Sequence, residues 1–246
     1  STPSNSSAAS DVYKRQRQCY ALCTTRQRVQ GDVKMDANVK EIIRIKMETC
    51  KKALEKNGMK AYLVEDAQAA RELVNAMIKD HETVCDGGTM TLQETGILDM
   101  LNHRDLVFHS HNDPMMTREE SDAEARKAFS ADTFIASTNA VTLQGELVNI
   151  DGHGNRVSAM IFGPKQVIIV AGYNKIVENE EAAKKRIREI AAPANSVRLH
   201  KQTPCSKTGS CQDCYSKDRI CSSYVKINYD KEDRIRVILI AEAYGY

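Results

Sequence analysis

The chain has no run of about twenty apolar residues. Its longest lies near Val167–Ala171, which is strand length, so a membrane-spanning helix is excluded. Tryptophan is absent, no Lys-Ser or Lys-Thr follows a glycine-rich turn, and no G-x-G-x-x-G occurs. The P-loop and the dinucleotide fingerprint are thereby excluded. A basic surface is lacking too. The net charge is +2, but residues 1–34 hold six Lys and Arg against two Asp, which leaves residues 35–246 slightly acidic. That balance gives no case for nucleic-acid binding by the body of the chain. No secretory signal is evident, so disulfides are not the default for the eight cysteines, and a cytoplasmic location is expected.

What remains is a globular composition, 41% apolar and 28% charged over 246 residues, which suits one domain with a small appendage. Residues 1–34 read as that appendage. They are Ser/Ala-rich at the start, and residues 7–16 (SAASDVYKRQ) resemble translated adaptor sequence. We expect a non-native or disordered leader there, with Met35 as the natural start, and give Cys19 and Cys23 little weight. Residues 35–246 are expected to form the domain, with a Cys-rich insertion over 203–222.

From Met35 the elements are regular. Val39, Ile42, Ile43, Met47, Cys50 and Leu54 recur at helical spacing, ended by Asn57-Gly58. Met59–Val64 reads as a strand, then Asp66 caps a helix with Ala70, Leu73, Val74, Met77 and Ile78 on one face. Strands follow at Thr83–Cys85, Leu106–His109, Thr133–Ala136, Ala159–Phe162 and Val167–Ala171. Thr91 with Glu94, and Thr117 with Glu120, have capping-box spacing. Glu178–Ile190 reads as a helix ended by Ala192-Pro193. Tyr224–Tyr229 and Ile235–Ala241 read as a C-terminal β-hairpin turning at Asp230–Asp233. Alternating strands and helices predict an α/β fold with a mainly parallel sheet covered on both faces.

Two glycine-rich stretches draw attention. Asn139–Pro164 is either a plain hairpin connection or the rim of a ligand site, where Gly admits close backbone approach and Asn, Asp and Arg supply contacts. Asp86–Thr91 is either a tight turn before a capped helix or an anion cradle at a helix N-terminus, with Thr89 and Thr91 adding hydroxyls. Glu94 either closes a capping box or points into a cleft as acid, base or nucleophile. Ligands in such folds gather where strands end and helices begin.

Cys205, Cys211, Cys214 and Cys221 fall within seventeen residues of polar sequence. Cys-x-x-Cys with two more thiols nearby suits a tetrahedral metal site, zinc first and an iron–sulfur cluster as the alternative. Reduced thiols or a redox pair remain the other reading. His109-x-His111 is a weaker metal pair, and His153 reads as a turn residue or a base.

The run GGTMTLQETG, then STNAVTLQGELVNIDGHGNRVSAMIFGP, then VIIVAGYNKIV, then the TPC–KTG–C–DC–DRIC tail resemble the LUD-domain proteins, the lactate-utilisation family. The resemblance runs from about Met35 to Tyr246. It implies a NagB/RpiA/CoA-transferase-like α/β sandwich. It also implies a role beside iron–sulfur partner proteins in oxidising L-lactate to pyruvate, as an accessory or small-anion-binding subunit. Carried onto this chain, the ligand site is Gly87, Gly88, Thr89, Met90, Thr91 and Glu94 with Asn139, Asn149, Asp151, Gly152, Gly154, Asn155 and Arg156. Arg156 would offer a bidentate fork to a carboxylate or phosphate. The alternatives are a stand-alone enzyme on a sugar phosphate or acyl-CoA using Glu94, and a metal- or redox-responsive protein acting through the four-Cys loop. A homodimer is expected of such folds.

Overall fold

The computed structural model describes residues 35–113 and 115–246. The leader, with Cys19 and Cys23, lies outside the described residues. Helix α1 (Ala37–Lys56) leads into β1 (Lys60–Val64), and α2 (Ala67–Met77) into β2 (Thr83–Asp86). Two short helices, α3 (Met90–Glu94) and α4 (Ile97–Asn102), precede β3 (Val107–His109), and α5 (Arg118–Lys127) precedes β4 (Thr133–Ala136). Then come β5 (Ala140–Thr142), β6 (Leu147–Asp151), α6 (Asn155–Ile161), β7 (Gln166–Gly172), a 3-10 turn (Tyr173–Lys175) and β8 (Ile176–Val177). The chain closes with α7 (Glu180–Arg186), a π-helical turn (Ile187–Ala191), α8 (Ala192–Arg198), α9 (Pro204–Thr208), β9 (Ser223–Ile227) and β10 (Ile235–Ile240). Among the described residues no helix is long and apolar enough to cross a membrane.

The expected α/β class with a parallel sheet is present. Six strands run in the order β1-β10-β7-β4-β2-β3, every pairing parallel. The central strands are apolar on both faces because both faces are covered. Val167, Ile169 and Ala171 of β7 pack with Leu54, Phe134, Met160 and Leu239 on one side. Ile168 and Val170 pack with Val74, Val84, Leu92 and Ile238 on the other. A second sheet, β8-β5-β6-β9, has its own small core of Ala140, Val148, Ala183 and Ile187 against α7. Asp66 caps α2 by accepting from Ala69 N, and Thr117 with Glu120 forms the capping box of α5.

Four expectations are corrected. The C-terminal hairpin does not form: β9 pairs antiparallel with β6 in the small sheet, while β10 inserts between β1 and β7 in the large one. The reason is burial, since Val237–Ile240 are fully buried and need both covered faces, whereas β9 is half-exposed. Ala159–Phe162 is not a strand, because α6 runs through Ile161 and Phe162 lies beyond its end, exposed. Ala192-Pro193 does not end the helix. A π-helical turn absorbs the proline, which lacks an N–H, and α8 continues. Thr91 and Glu94 form no capping box: Thr89 is the N-cap, accepting from Thr91 N, and Glu94 Oε2 accepts from Gly245 N at 2.7 Å.

Candidate functional site

The sheet's strand ends set the site. β2 ends in Asp86-Gly87-Gly88, β4 in Ser137-Thr138-Asn139, and β7 in the turn that carries Lys175. Each is a carboxyl end of a parallel strand, where the backbone diverges into loops and leaves a crevice. A cavity of about 330 Å³ opens there, near the low end of the range for ligand pockets. It brings both glycine-rich stretches together. Gly87, Gly88, Thr89 and Met90 line it from one side, and Asn139, Asp151, Gly152, Asn155 and Arg156 from the other. Thr91, Asn149, Gly154 and Glu94 are not in its wall.

Two of the turn amides are already engaged. Gly87 N donates to Ile135 O at 2.9 Å and Gly88 N to Asp86 Oδ2 at 2.7 Å. α3 is only five residues long, and Thr89 caps it by accepting from Thr91 N. The turn's first glycine is there for space: a Cβ on Gly87 would stand 2.8 Å from Ala136 Cβ, 3.0 Å from Phe134 Cζ and 3.2 Å from Arg156 Cγ. Gly87→Ala should therefore cost about 1–3 kcal/mol and lower the melting temperature by several degrees. An unchanged melting temperature would mean that β2 and β4 shift apart freely here.

Arg156 is equally engaged. Nη1 donates to Ser137 O at 3.0 Å and Asn149 Oδ1 at 2.6 Å; Nη2 donates to Asn139 Oδ1 at 3.1 Å and Ile150 O at 2.9 Å. Its Nε is 3.5 Å from Asp151 Oδ2. Burial pushes its pKa down, offset by the Asp151 charge. All terminal N–H groups face protein, so the guanidinium organises the site and offers no fork to a ligand. Asn149 Oδ1 also accepts from Thr138 Oγ1 and Asn139 N, and Asn139 Oδ1 from Ile150 N. The two asparagines thus brace the antiparallel hairpin formed by β5 and β6. Asp151 Oδ1 receives His153 N and Gly154 N, which turns the chain into α6.

Lys175 is the group the sequence reading missed. It is 1% exposed, lines the cavity, and donates to Thr91 Oγ1 at 2.8 Å and Ser137 Oγ at 3.0 Å. Burial first, then the charges of Arg186 and Arg156, pushes its pKa down to about 7, with Glu94 opposing. Arg186 is held by the carbonyls of Asn174 and Asn139, and burial lowers its pKa to about 10. Arg118, Arg198 and Lys201 also line the cavity, so cations outnumber the lining carboxylates Asp122 and Asp151. Asp86 Oδ1 and Asn149 Nδ2, both beside this cavity's walls, are the buried side-chain atoms without a hydrogen-bond partner among the described residues.

The histidines separate. His109 Nδ1 meets Glu124 at 2.9 Å and His111 Nε2 meets Asn155 Nδ2 at 3.1 Å, so the pair does not share a centre. His153 Nδ1 meets Arg118 Nη2 at 3.3 Å on the rim. The four loop cysteines line a separate small cavity.

The LUD-domain family model matches residues 47–240. A crystal structure of a DUF162 family protein from Deinococcus radiodurans is similar at 13% identity with a TM-score of 0.45, over 82% of this chain and 98% of that one. Ribose 5-phosphate isomerase from Plasmodium falciparum is similar at 17% identity with a TM-score of 0.29, over 46% of this chain and 52% of that one. No curated protein matches the chain.

Proposed function

Because the chain belongs to the LUD-domain family, which is associated with lactate utilisation, we propose that it binds a small anionic metabolite at Lys175. In this reading it serves as an accessory subunit in the oxidation of L-lactate to pyruvate, beside iron–sulfur partner proteins. The observation that carries the reading is Lys175 itself. It is a buried ammonium at a cavity wall whose hydrogen-bond partners are two hydroxyls. No carboxylate hydrogen-bonds to it among the described residues. A buried cation in that state is stabilised by an anion brought into the cavity. Arg198, Arg118 and Lys201 on the cavity wall favour the same charge.

The test is a thermal-shift and calorimetric titration with L-lactate, pyruvate and inorganic phosphate, below about pH 7 where Lys175 is charged. At a hundredfold excess over Kd, binding stabilises by about 2.7 kcal/mol, which is a rise of about 5–10 °C for a domain of this size. Absence of any shift with all three anions would overturn the reading.

A stand-alone enzyme using Glu94 has less support, since that carboxylate is exposed, outside the cavity wall and bonded to Gly245 N. Glu94→Gln keeps an acceptor for that amide. It should leave anion affinity within about twofold, the usual effect of an exposed substitution. A loss of about tenfold, or 1.4 kcal/mol, would return Glu94 to the site.

A further inference from the structure

Loop 203–222 folds back on the π-helical turn. Cys211 N donates to Arg188 O at 2.9 Å, and Asp213 accepts both terminal nitrogens of Arg188 at 2.5 and 2.6 Å. At the loop's base, Lys201 Nζ and Gln202 N donate to Asp218. These ties carry Cys205, Cys211, Cys214 and Cys221 to the walls of one cavity of about 100 Å³. All four are free thiols. We propose that this cavity holds an iron–sulfur cluster of several irons, ligated by these four cysteines, in preference to a single zinc ion.

Size favours the cluster. Zinc–sulfur bonds of about 2.3 Å bring four sulfurs to within about 3.8 Å of one another, with nothing between them but the ion. Here the four cysteines line a space of about 100 Å³, with room for about three water molecules by volume. No three of the described His, Cys, Asp or Glu side chains converge closely enough to hold one ion. In a polynuclear cluster each thiolate has its own iron, so the sulfurs stand apart around a body several atoms across.

Charge and polarity agree with size. Four thiolates around a cluster carry net negative charge. Arg219 Nε donates to Cys221 Sγ at 3.3 Å, which places a cation against that sulfur. Arg188, whose carbonyl accepts from Cys211 N, lines the same cavity. Ile150, Ile187, Ala192 and Ile220 supply an apolar wall that keeps water from a cluster. Each ligating thiol releases its proton on assembly.

Ile150, Ala192 and Ile220 also wall the anion pocket. The cluster would therefore sit one side-chain layer from a ligand there, a placement that rests on the anion-binding reading above.

The full chain should be produced with iron and purified without oxygen, then assayed for iron, acid-labile sulfide and zinc. About four irons and four sulfides per chain are expected, as in a four-cysteine cubane, with broad visible absorption that bleaches on reduction. Cys214→Ser should lose most of the iron and colour. Because that variant could also fail to fold, wild-type protein stripped of metal and reconstituted with equal ferrous and ferric iron and sulfide gives an independent readout and should regain the spectrum. One zinc without sulfide overturns the proposal. So does a wild-type chain that takes up neither iron nor sulfide on reconstitution. None of these readouts involves the anion pocket, so failure of either reading leaves the other standing.

Discussion

Lys175→Met is expected to raise the melting temperature while removing anion binding. The folded pKa of Lys175 is lowered from 10.5 to about 7, chiefly by burial. Between those values the unfolded chain binds more protons than the folded one, so stability rises with pH across that window. Below about pH 7 the folded protein carries the full cost of a buried ammonium, on the order of a few kcal/mol. Methionine has similar reach and no charge, so the variant escapes that cost. A gain of about 5 °C or more follows for a domain of this size. It should shrink as pH rises and vanish once the unfolded lysine is also neutral.

Binding moves the opposite way. A charge-assisted hydrogen bond is worth about 1.5–3 kcal/mol, so affinity for lactate, pyruvate or phosphate should fall ten- to a hundredfold. In the wild type affinity should decline as pH rises through about 7, because the free protein loses the Lys175 proton there. The variant's residual binding of lactate or pyruvate, which keep a single charge across the same range, should lose that dependence. Titrations by calorimetry at a series of pH values, paired with melting curves, check both halves. A variant that binds normally, or one that melts lower, would remove Lys175 from the site.

The large sheet was legible because its strands are continuous apolar runs bounded by Gly, Asp and Asn, and helix starts were legible where a side chain caps locally, as at Asp66 and Thr117. Signals within a few residues of one another survive in sequence. Ala159–Phe162 was misread because a short apolar run fits a strand or one helical turn equally well. What decides is Gly154, in the left-handed region at φ +85°, with α6 starting at the next residue. The separation of β9 and β10 has no local signal, since parallel neighbours lie far apart in sequence.

The site divides along the same line. Glycine-rich turns at strand ends could be seen, and their meeting at one cavity is a property of strand order. Lys175 could not be weighed, because a lysine beside Asn174 looks like any exposed basic residue. The one hint was its place between two apolar runs, Val167–Ala171 and Ile176-Val177. Only the pairing of β4 with β7 puts Ser137 and Lys175 at the same end of the sheet, with Thr91 above.

Arg156→Ala should be the most destabilising single change at the site. The guanidinium joins the end of β4 through Ser137 O to the hairpin through Asn139, Asn149 and Ile150, with Asp151 alongside. Its side chain is 13% exposed, so water cannot replace the donors freely. Truncation leaves buried acceptors unmet and the Asp151 carboxylate without its cation, a combination that costs about 3–5 kcal/mol. A fall of about 10 °C in melting temperature is expected, with a matching drop in urea midpoint and little change in slope. Arg156→Lys should recover only part of this, since one ammonium cannot reach acceptors spread over a fork. Anion binding should weaken in both variants in step with stability, because the arginine shapes the cavity and its donors face the protein. If Arg156→Ala instead melted within about 2 °C of wild type, a change of under 1 kcal/mol, and still lost all anion binding, the guanidinium would be the ligand's own partner. Lys175 would then be its neighbour, and the roles assigned to the two cations would exchange.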